Sequence, residues 1–517
     1  MTHPQHAPRP TLDRDAVLGA IQGLVAKSMV ATQVAGATMS YRLLATTRAY
    51  AAALGKDDPG QRDAALRHAA YYEEWLKRTE SKRQASSDAE RLHHLAGLNN
   101  VRAALDWCFG ANGEIDAGIR LAAAAVPMFL AMSLLTKCHH WCGLALRALP
   151  DDRRGGGKEL RLQAGLGLSL MFMRGDHAAA QAALERSLAI AEDRGDILYT
   201  LALLGPLHMF HVRVGSFRTA LDLARRSTIA ARTVGDATGI ALAHCLLGVS
   251  LQAAGRLGDA RAELEAALHH ERGAAGRCMI LPSFDHRNLA SIVLARTLWL
   301  QGHSSQALEQ ARDAVDEASR IGHPLTLAIA LHWAASVFLW AGNLRRAEEH
   351  IDRFVAHAES QSLEPYQALG RGLKGELAIR RGDAGKGVED LQGCLQELHA
   401  ARYELLTAAL NLPLAEGLAA IGKGDEALRR LDEVIPRVET NGNLVYLPEL
   451  LRVKGGILLS MPQPDSDTAE RCFRQSLALS RRQGARAWEL RTELDLAALL
   501  ISQGRTGSAE DLLQPAD

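Results

Sequence analysis

Aromatic side chains make up only 5% of this 517-residue chain. A strand-rich sandwich or barrel draws heavily on aromatic and β-branched residues, so their scarcity beside abundant Ala, Leu and Gly favours close-packed helices. Neither sign of charge dominates, with 59 Lys and Arg against 59 Asp and Glu. That balance removes the usual electrostatic argument for a nucleic-acid or membrane-surface protein. There is no cysteine framework either. Seven cysteines lie scattered at 108, 138, 142, 245, 278, 394 and 472, an odd set that reads as reduced thiols in a cytoplasm. The longest uncharged stretch, Leu121 to Thr136, contains Pro127 and falls short of the ~20 residues a membrane span needs. A buried helix is expected there. Met1 to Thr11 lacks the apolar core of a signal peptide. The expectation is a cytoplasmic protein without membrane contact. At this length it must form several domains or one quasi-linear array.

What the chain has in quantity is self-similarity. Glycines stand at 175, 215, 255, 302, 342, 382, 422 and 504, mostly 40 residues apart, and Pro464 occupies the one missing turn. Five residues after each turn comes a small residue: Ala180, Ala220, Ala260, Ala307, Ala347, Gly387, Ala427, Ala469 and Ala509. Nine residues after it comes an apolar one, from Leu184 and Ala224 through Phe473 and Leu513. Those offsets are one helical turn apart, so both residues share a face. Seven residues before the turn a second small residue recurs, as at Gly248, Ala295, Ala335, Gly375, Ala415 and Ala497. The pattern describes a helical hairpin whose first helix ends at a left-handed glycine, with small residues letting two backbones approach. A second glycine closes the unit at Gly195, Gly235, Gly322, Gly442 and Gly484.

On these residues the chain resembles the tetratricopeptide repeat, best in the segments Gly342 to Glu359 and Gly424 to Ile435. The resemblance implies an all-α solenoid of about nine hairpins over residues 159–517. The 40-residue period departs from the family's ~34 and implies longer helices and a different superhelical pitch.

The front reads differently. A capped helix from Asp13 or Asp15 to Val25, an apolar run at Ser28–Thr32, a turn at Ala35–Ala37 and a second strand at Tyr41–Leu44 give a helix–hairpin–helix order over residues 13–55. Leu24–Val30 and Tyr41–Tyr50 resemble the winged helix that follows the nucleotide-binding module of NB-ARC (STAND-type) ATPase regulators. Arg67–Tyr72 and Leu98–Trp107 extend the resemblance to bacterial transcriptional regulators that join such an ATPase to a tetratricopeptide tail. Residues 1–12 are expected to be a disordered tail, and 61–149 a helical connector whose last hairpin, turning near Leu135, is a worn first repeat. The family's nucleotide-binding residues precede its winged helix, and only a dozen residues stand there in this sequence. The nearest approach to a phosphate loop, Gly417 to Gly424, lacks the Ser or Thr that holds magnesium and falls on a repeat turn. Residues 1–60 carry six Lys or Arg against four Asp or Glu, which argues against direct DNA binding and for packing on an ATPase module or another partner.

Chemistry finds little foothold. Cys138 and Cys142 share a helical face beside His139 and His140, but two thiols do not complete a tetrahedral site. The adjacent pairs His93–His94 and His269–His270 cannot chelate together. No nucleophile or metalloprotease signature appears; Glu263, Glu265, Glu348 and Glu349 sit at solvent-face spacing. No enzyme activity, cofactor or metal is expected. What remains is the concave wall, where Arg296, Ser336, Glu376 and Glu416 stand six residues before their turns, with Trp299 and His332 nearby. They are read as the exposed wall of a groove for a protein or peptide partner. The function expected is a sensor and interaction module of an ATPase-type transcriptional regulator; the alternative is a free-standing tetratricopeptide scaffold or peptide receptor.

Overall fold

The structure is a computed structural model and describes residues 14–35, 38–54, 59–82, 88–172, 177–269 and 285–513. The expected tail, the centre of the first hairpin turn, residues 55–58, Gly175, His270 and Cys278 lie outside them, as do the side chains of His93 and His94. The front has the expected order: α1 (Arg14–Ala26), β1 (Val30–Ala35), β2 (Thr38–Leu43) and α2 (Ala45–Leu54). The two strands pair antiparallel, Val30 opposite Leu43 and Thr32 opposite Tyr41. Two long helices follow, α3 (Pro59–Lys82) and α4 (Asp88–Cys108).

Among the described residues ten helical hairpins come next. The first is α5 (Ile115–Ala131) with α6 (Leu135–Ala148), turning at Ser133. Then come α7 (Gly157–Phe172) with α8 (His177–Asp193), α9 (Ile197–Arg213) with α10 (Phe217–Val234), and α11 (Ala237–Ala253) with α12 (Leu257–His269). The middle holds α13 (His286–Leu300) with α14 (Ser304–Ile321), α15 (Pro324–Trp340) with α16 (Leu344–Ser360), and α17 (Glu364–Arg380) with α18 (Ala384–Ala400). The end is α19 (Thr407–Ala420) with α20 (Gly424–Asn441), α21 (Leu447–Ser460) with α22 (Ser466–Gln483), and α23 (Arg486–Ser502) with α24 (Thr506–Leu513). This is an all-α solenoid of the tetratricopeptide type.

The glycine grammar explains the hairpins. Gly342 has φ +73; its N–H donates to Leu339 O and that of Asn343 to Phe338 O, which satisfies the last carbonyls of α15. Asn343 then caps α16, its side chain accepting from Arg346 N. Gly375 and Gly387 show why small residues recur on both sides of a turn. A Cβ built on Gly387 would stand 2.6 Å from Gly375 O, so these two backbones touch. The segment Gly417–Gly424 spans the end of α19, the turn and the first residue of α20, with Gly422 at φ +77.

Each hairpin rotates slightly on its neighbour, and the rotations accumulate into a superhelix. Here the superhelix is tight enough to meet itself. Glu404 N donates to Arg213 O at 2.6 Å, Arg218 donates to Glu439 O at 2.9 Å, and Arg491 donates to Trp340 O at 3.1 Å. Gln483 packs against Gly255, and Ser133 Oγ lies 3.4 Å from His323 Nε2. These pairs join residues 151 to 228 positions apart, so a later part of the spiral seals against an earlier one. The first hairpin is not separate from the array: one core runs from Ala69 through Phe129 and Leu184 to Phe210 and Ala243.

Candidate functional site

The closure decides what the inner wall can be. Helix α15 is buried nearly all round, its Leu, Ile, Trp and Phe side chains meeting neighbours on every side. Arg296, Trp299, His332 and Glu376 are therefore buried rather than displayed, with Arg296 3% and His332 1% exposed. Ser336 and Glu416 are half-buried. The expectation of exposed groove residues is corrected for the first four: the returning part of the array covers Arg296 through Tyr446 and Trp299 through Trp488, and His332 packs against Phe354 and Tyr366 of its own and the next hairpin.

The six residues fall into two adjoining groups. The first surrounds an interior cavity of about 60 Å³ between α9, α11, α13, α15 and the short turn at Leu444–Tyr446. The Arg296 guanidinium lies 3.7 Å from the centroid of Trp333, 4.8 Å from that of Trp340 and 5.9 Å from that of Tyr446, in reach of cation–π attraction. It donates to the Tyr446 hydroxyl. Its Nε is buried without a hydrogen-bond partner, as is His332 Nε2. Burial opposes charge on both groups: the Arg296 pKa is lowered, and that of His332 falls to about 3, so this imidazole is neutral at physiological pH. His332 Nδ1 faces Ala328 O at 2.9 Å, so the neutral ring carries its proton on Nδ1 and presents Nε2 as an acceptor. Ser336 Oγ donates to His332 O at 3.1 Å, which bonds it back to its own helix. Across the cavity Arg213 stacks over Tyr403 at 4.9 Å.

The second group is a charged belt. Glu449, 3% exposed, accepts from Arg452 at 2.7 and 2.9 Å and from Arg491 at 2.9 Å. Arg452 also reaches Asp495 at 2.6 Å and Glu416 at 3.5 Å. Glu376 lies 3.7 Å from Arg380. Burial pushes the Glu376 carboxyl up to about 7, with Arg380 pulling it down and Glu416 up; the paired guanidinium groups hold Glu449 below the usual range despite its burial. Trp299 joins the two groups, 5.1 Å from both Trp340 and Trp488, with Arg491 over its ring at 5.2 Å.

Trp333, Trp340, Tyr446 and Trp488 were missed by the sequence reading. A signal existed for Trp340, two residues before Gly342 as Arg213 is before Gly215; none existed for Tyr446, which sits in a connection at no repeat offset. Cys138 Sγ lies 3.9 Å from Cys142 Sγ and donates to Gly165 O, both buried. No group of three or more His, Cys, Asp and Glu among the described residues is arranged to hold a metal, and no helix there is long and apolar enough to cross a membrane. Glu348 pairs with Arg381 and Glu349 with Arg345 on the outer surface.

No family model matches the chain. It is 26% identical over 364 residues to chains from Mycobacterium tuberculosis and Mycobacterium bovis that carry the provisional name of HTH-type transcriptional regulators. The match covers 69% of this chain and 36% of theirs, so the chain spans about a third of the length of these relatives. Among solved structures, a Rap protein in complex with Competence and Sporulation Factor superposes with a TM-score of 0.52 at 14% identity, over 71% of this chain and 98% of that one. A tetratricopeptide repeat protein from Parabacteroides merdae aligns over 60% of this chain and 98% of its own at 16% identity, with a TM-score of 0.32. The likeness to the Rap structure is one of fold.

Proposed function

We propose that this chain is the non-catalytic sensor and protein-interaction part of an ATPase-type transcriptional regulator, working in the cytoplasm. The match over 69% of the chain to proteins named as transcriptional regulators carries the reading. The front of the chain supports it. Leu18, Met39, Tyr41, Leu43 and Tyr50 are all exposed on the helix–hairpin–helix unit, more apolar surface than so small an element leaves uncovered without a partner. A winged helix packed on a nucleotide-binding module, in the same polypeptide or on another, accounts for that surface. A basic footprint for DNA is missing from the same element. The solenoid supplies the sensing half: on the same fold the Rap protein holds a bound factor, and a protein, peptide or smaller ligand is assigned the same role here.

The test is made in the source organism and with the purified chain. Loss of the gene changes the transcripts of a restricted set of genes, restored by the wild-type chain, and the purified chain shows no ATP turnover. An unchanged transcriptome, or turnover abolished by Lys423→Ala, overturns the proposal.

A further inference from the structure

Arg296 is hard to account for as a structural residue. Taking a guanidinium out of water costs several kcal/mol unless an anion or a full set of acceptors replaces it. Arg296 has five N–H donors and its one recorded hydrogen bond is to the Tyr446 hydroxyl. The group acting on it electrostatically is that same tyrosine, and its remaining neighbours are the faces of Trp333 and Trp340. Nε is buried and unsatisfied. Apolar side chains of matching volume would fill this place at lower cost. The residue stands at the edge of a cavity whose other walls are mainly apolar, Val249, Leu289, Val293 and Ile329 among them.

We propose that the interior cavity is a binding site for a short-chain monocarboxylic acid, whose carboxylate pairs with Arg296 and whose alkyl end lies against Val293 and Ile329. The chemistry selects each property of the ligand. A cation walled by aromatic faces and held in a low-dielectric interior calls for one negative charge, and a planar guanidinium with free donors matches a carboxylate. Neutral His332 adds no positive charge, and the other cation of the lining, Arg213, is engaged over the Tyr403 ring across the cavity. The apolar patch of Val249, Leu289, Val293 and Ile329 suits an alkyl chain and would leave the hydroxyls of a sugar or polyol lying there unsatisfied. A volume of about 60 Å³ is far below the roughly 300 to 1,000 Å³ of pockets for drug-sized ligands, which limits the acid to a few carbons. The site is built from the neighbouring inner helices α13 and α15 and from the Leu444–Tyr446 turn, which reaches them only because the superhelix closes. An acid that bridges them therefore favours the closed spiral. This rests on the sensor reading above and gives it a ligand class.

The experiment uses the full chain and two matched pairs of probes, propionate with propionamide and butyrate with butyramide. Thermal midpoint and tryptophan fluorescence are followed against concentration at constant ionic strength, since Trp333 and Trp340 border the bound group. Both acids should raise the midpoint saturably and bind at least about tenfold more tightly than their amides, the scale of a charge-assisted pair. Arg296→Met should keep the helical circular dichroism and lose the response, and Arg345→Met, on the outer surface, should retain it. If Arg296→Met does not fold, Arg296→Lys takes its place, with weaker acid binding expected. No saturable response to either acid, equal response to acid and amide, or a full response in the Arg296 variants overturns the proposal. Because binding is read in the purified chain, its failure leaves the transcript test standing, and failure of the transcript test leaves the acid site standing.

Discussion

Helices α15 and α16 are partners in one hairpin, both 17 residues long, and they obey different rules. On α16 the buried positions are Ala347, His350, Ile351, Phe354 and Ala358, one stripe, with Arg345, Arg346, Glu349 and Arg353 outside it. On α15 fourteen residues are buried and no polar face exists. In an open solenoid the inner helix would also need a wet face. Its absence shows that the inner helices pack against three layers: their own hairpin partner, the neighbouring repeats, and the part of the spiral that returns from residues 404–491. The outer helices make the repeat; the inner ones close the superhelix.

The sharpest way to break this contrast is to remove an aromatic from the seam. Trp488, 1% exposed, packs on Trp299 and Trp340 from more than 140 residues away in the chain. Trp488→Ala should cost roughly 3–5 kcal/mol in urea unfolding, as expected for a large aromatic deleted from a core. A loss below about 1 kcal/mol would mean that the seam is not a packed interface.

The pH dependence of the inner wall comes next. The Glu376 carboxyl titrates near 7 in the folded chain against about 4.3 when unfolded. A raised folded value means that the favourable contribution is complete below the unfolded value and is lost as pH rises through about 7. The stability difference between wild type and Glu376→Gln should therefore shift by up to about 3 kcal/mol in favour of the variant between pH 4.5 and pH 8. A pH-independent difference would place Glu376 in water.

Much of the local structure was legible in the sequence, because a hairpin is set by residues within one period. A left-handed glycine, a small residue five later and another seven before it define the turn and the closest backbone approach without knowledge of the rest of the chain. The offset of six residues before the turn also found the polar members of the inner wall, Arg296, Ser336, Glu376 and Glu416. What it could not give was their burial. Closure depends on the pitch, and the pitch sums a small rotation over many hairpins, so Tyr446 reaches Arg296 across 150 residues through no local signal. Packing between neighbours sets a second limit, on shortening the chain by deleting residues 1–158. The deletion opens the core that joins Ile119, Phe129 and Trp141 to Leu160 and Leu168.

Gly342 tests the hairpin rule at intermediate size. No atom lies within 4 Å of a Cβ placed there, and φ is +73, so Gly342→Val measures backbone strain alone. It should cost roughly 1–3 kcal/mol; a thermal midpoint equal to that of wild type would contradict the assigned turn. The smallest effect belongs to the outer surface. Arg345, three-quarters exposed, pairs with Glu349 at 3.0 Å, and Arg345→Ala should leave the midpoint unchanged within error, as exposed ion pairs contribute little. A clear loss there would erase the distinction between the two faces.

Closure itself can be measured directly. Thr219 and Thr440 are exposed and flank the contact between Arg218 and Glu439, and the cysteines at 108, 138, 142, 245, 394 and 472 are buried. With Cys278 replaced by serine and spin labels on Thr219→Cys and Thr440→Cys, pulsed dipolar spectroscopy on the full chain should return one short, narrow distance distribution, the signature of a spiral sealed on itself. A long or broad distribution would show an open solenoid and contradict the account of the inner wall.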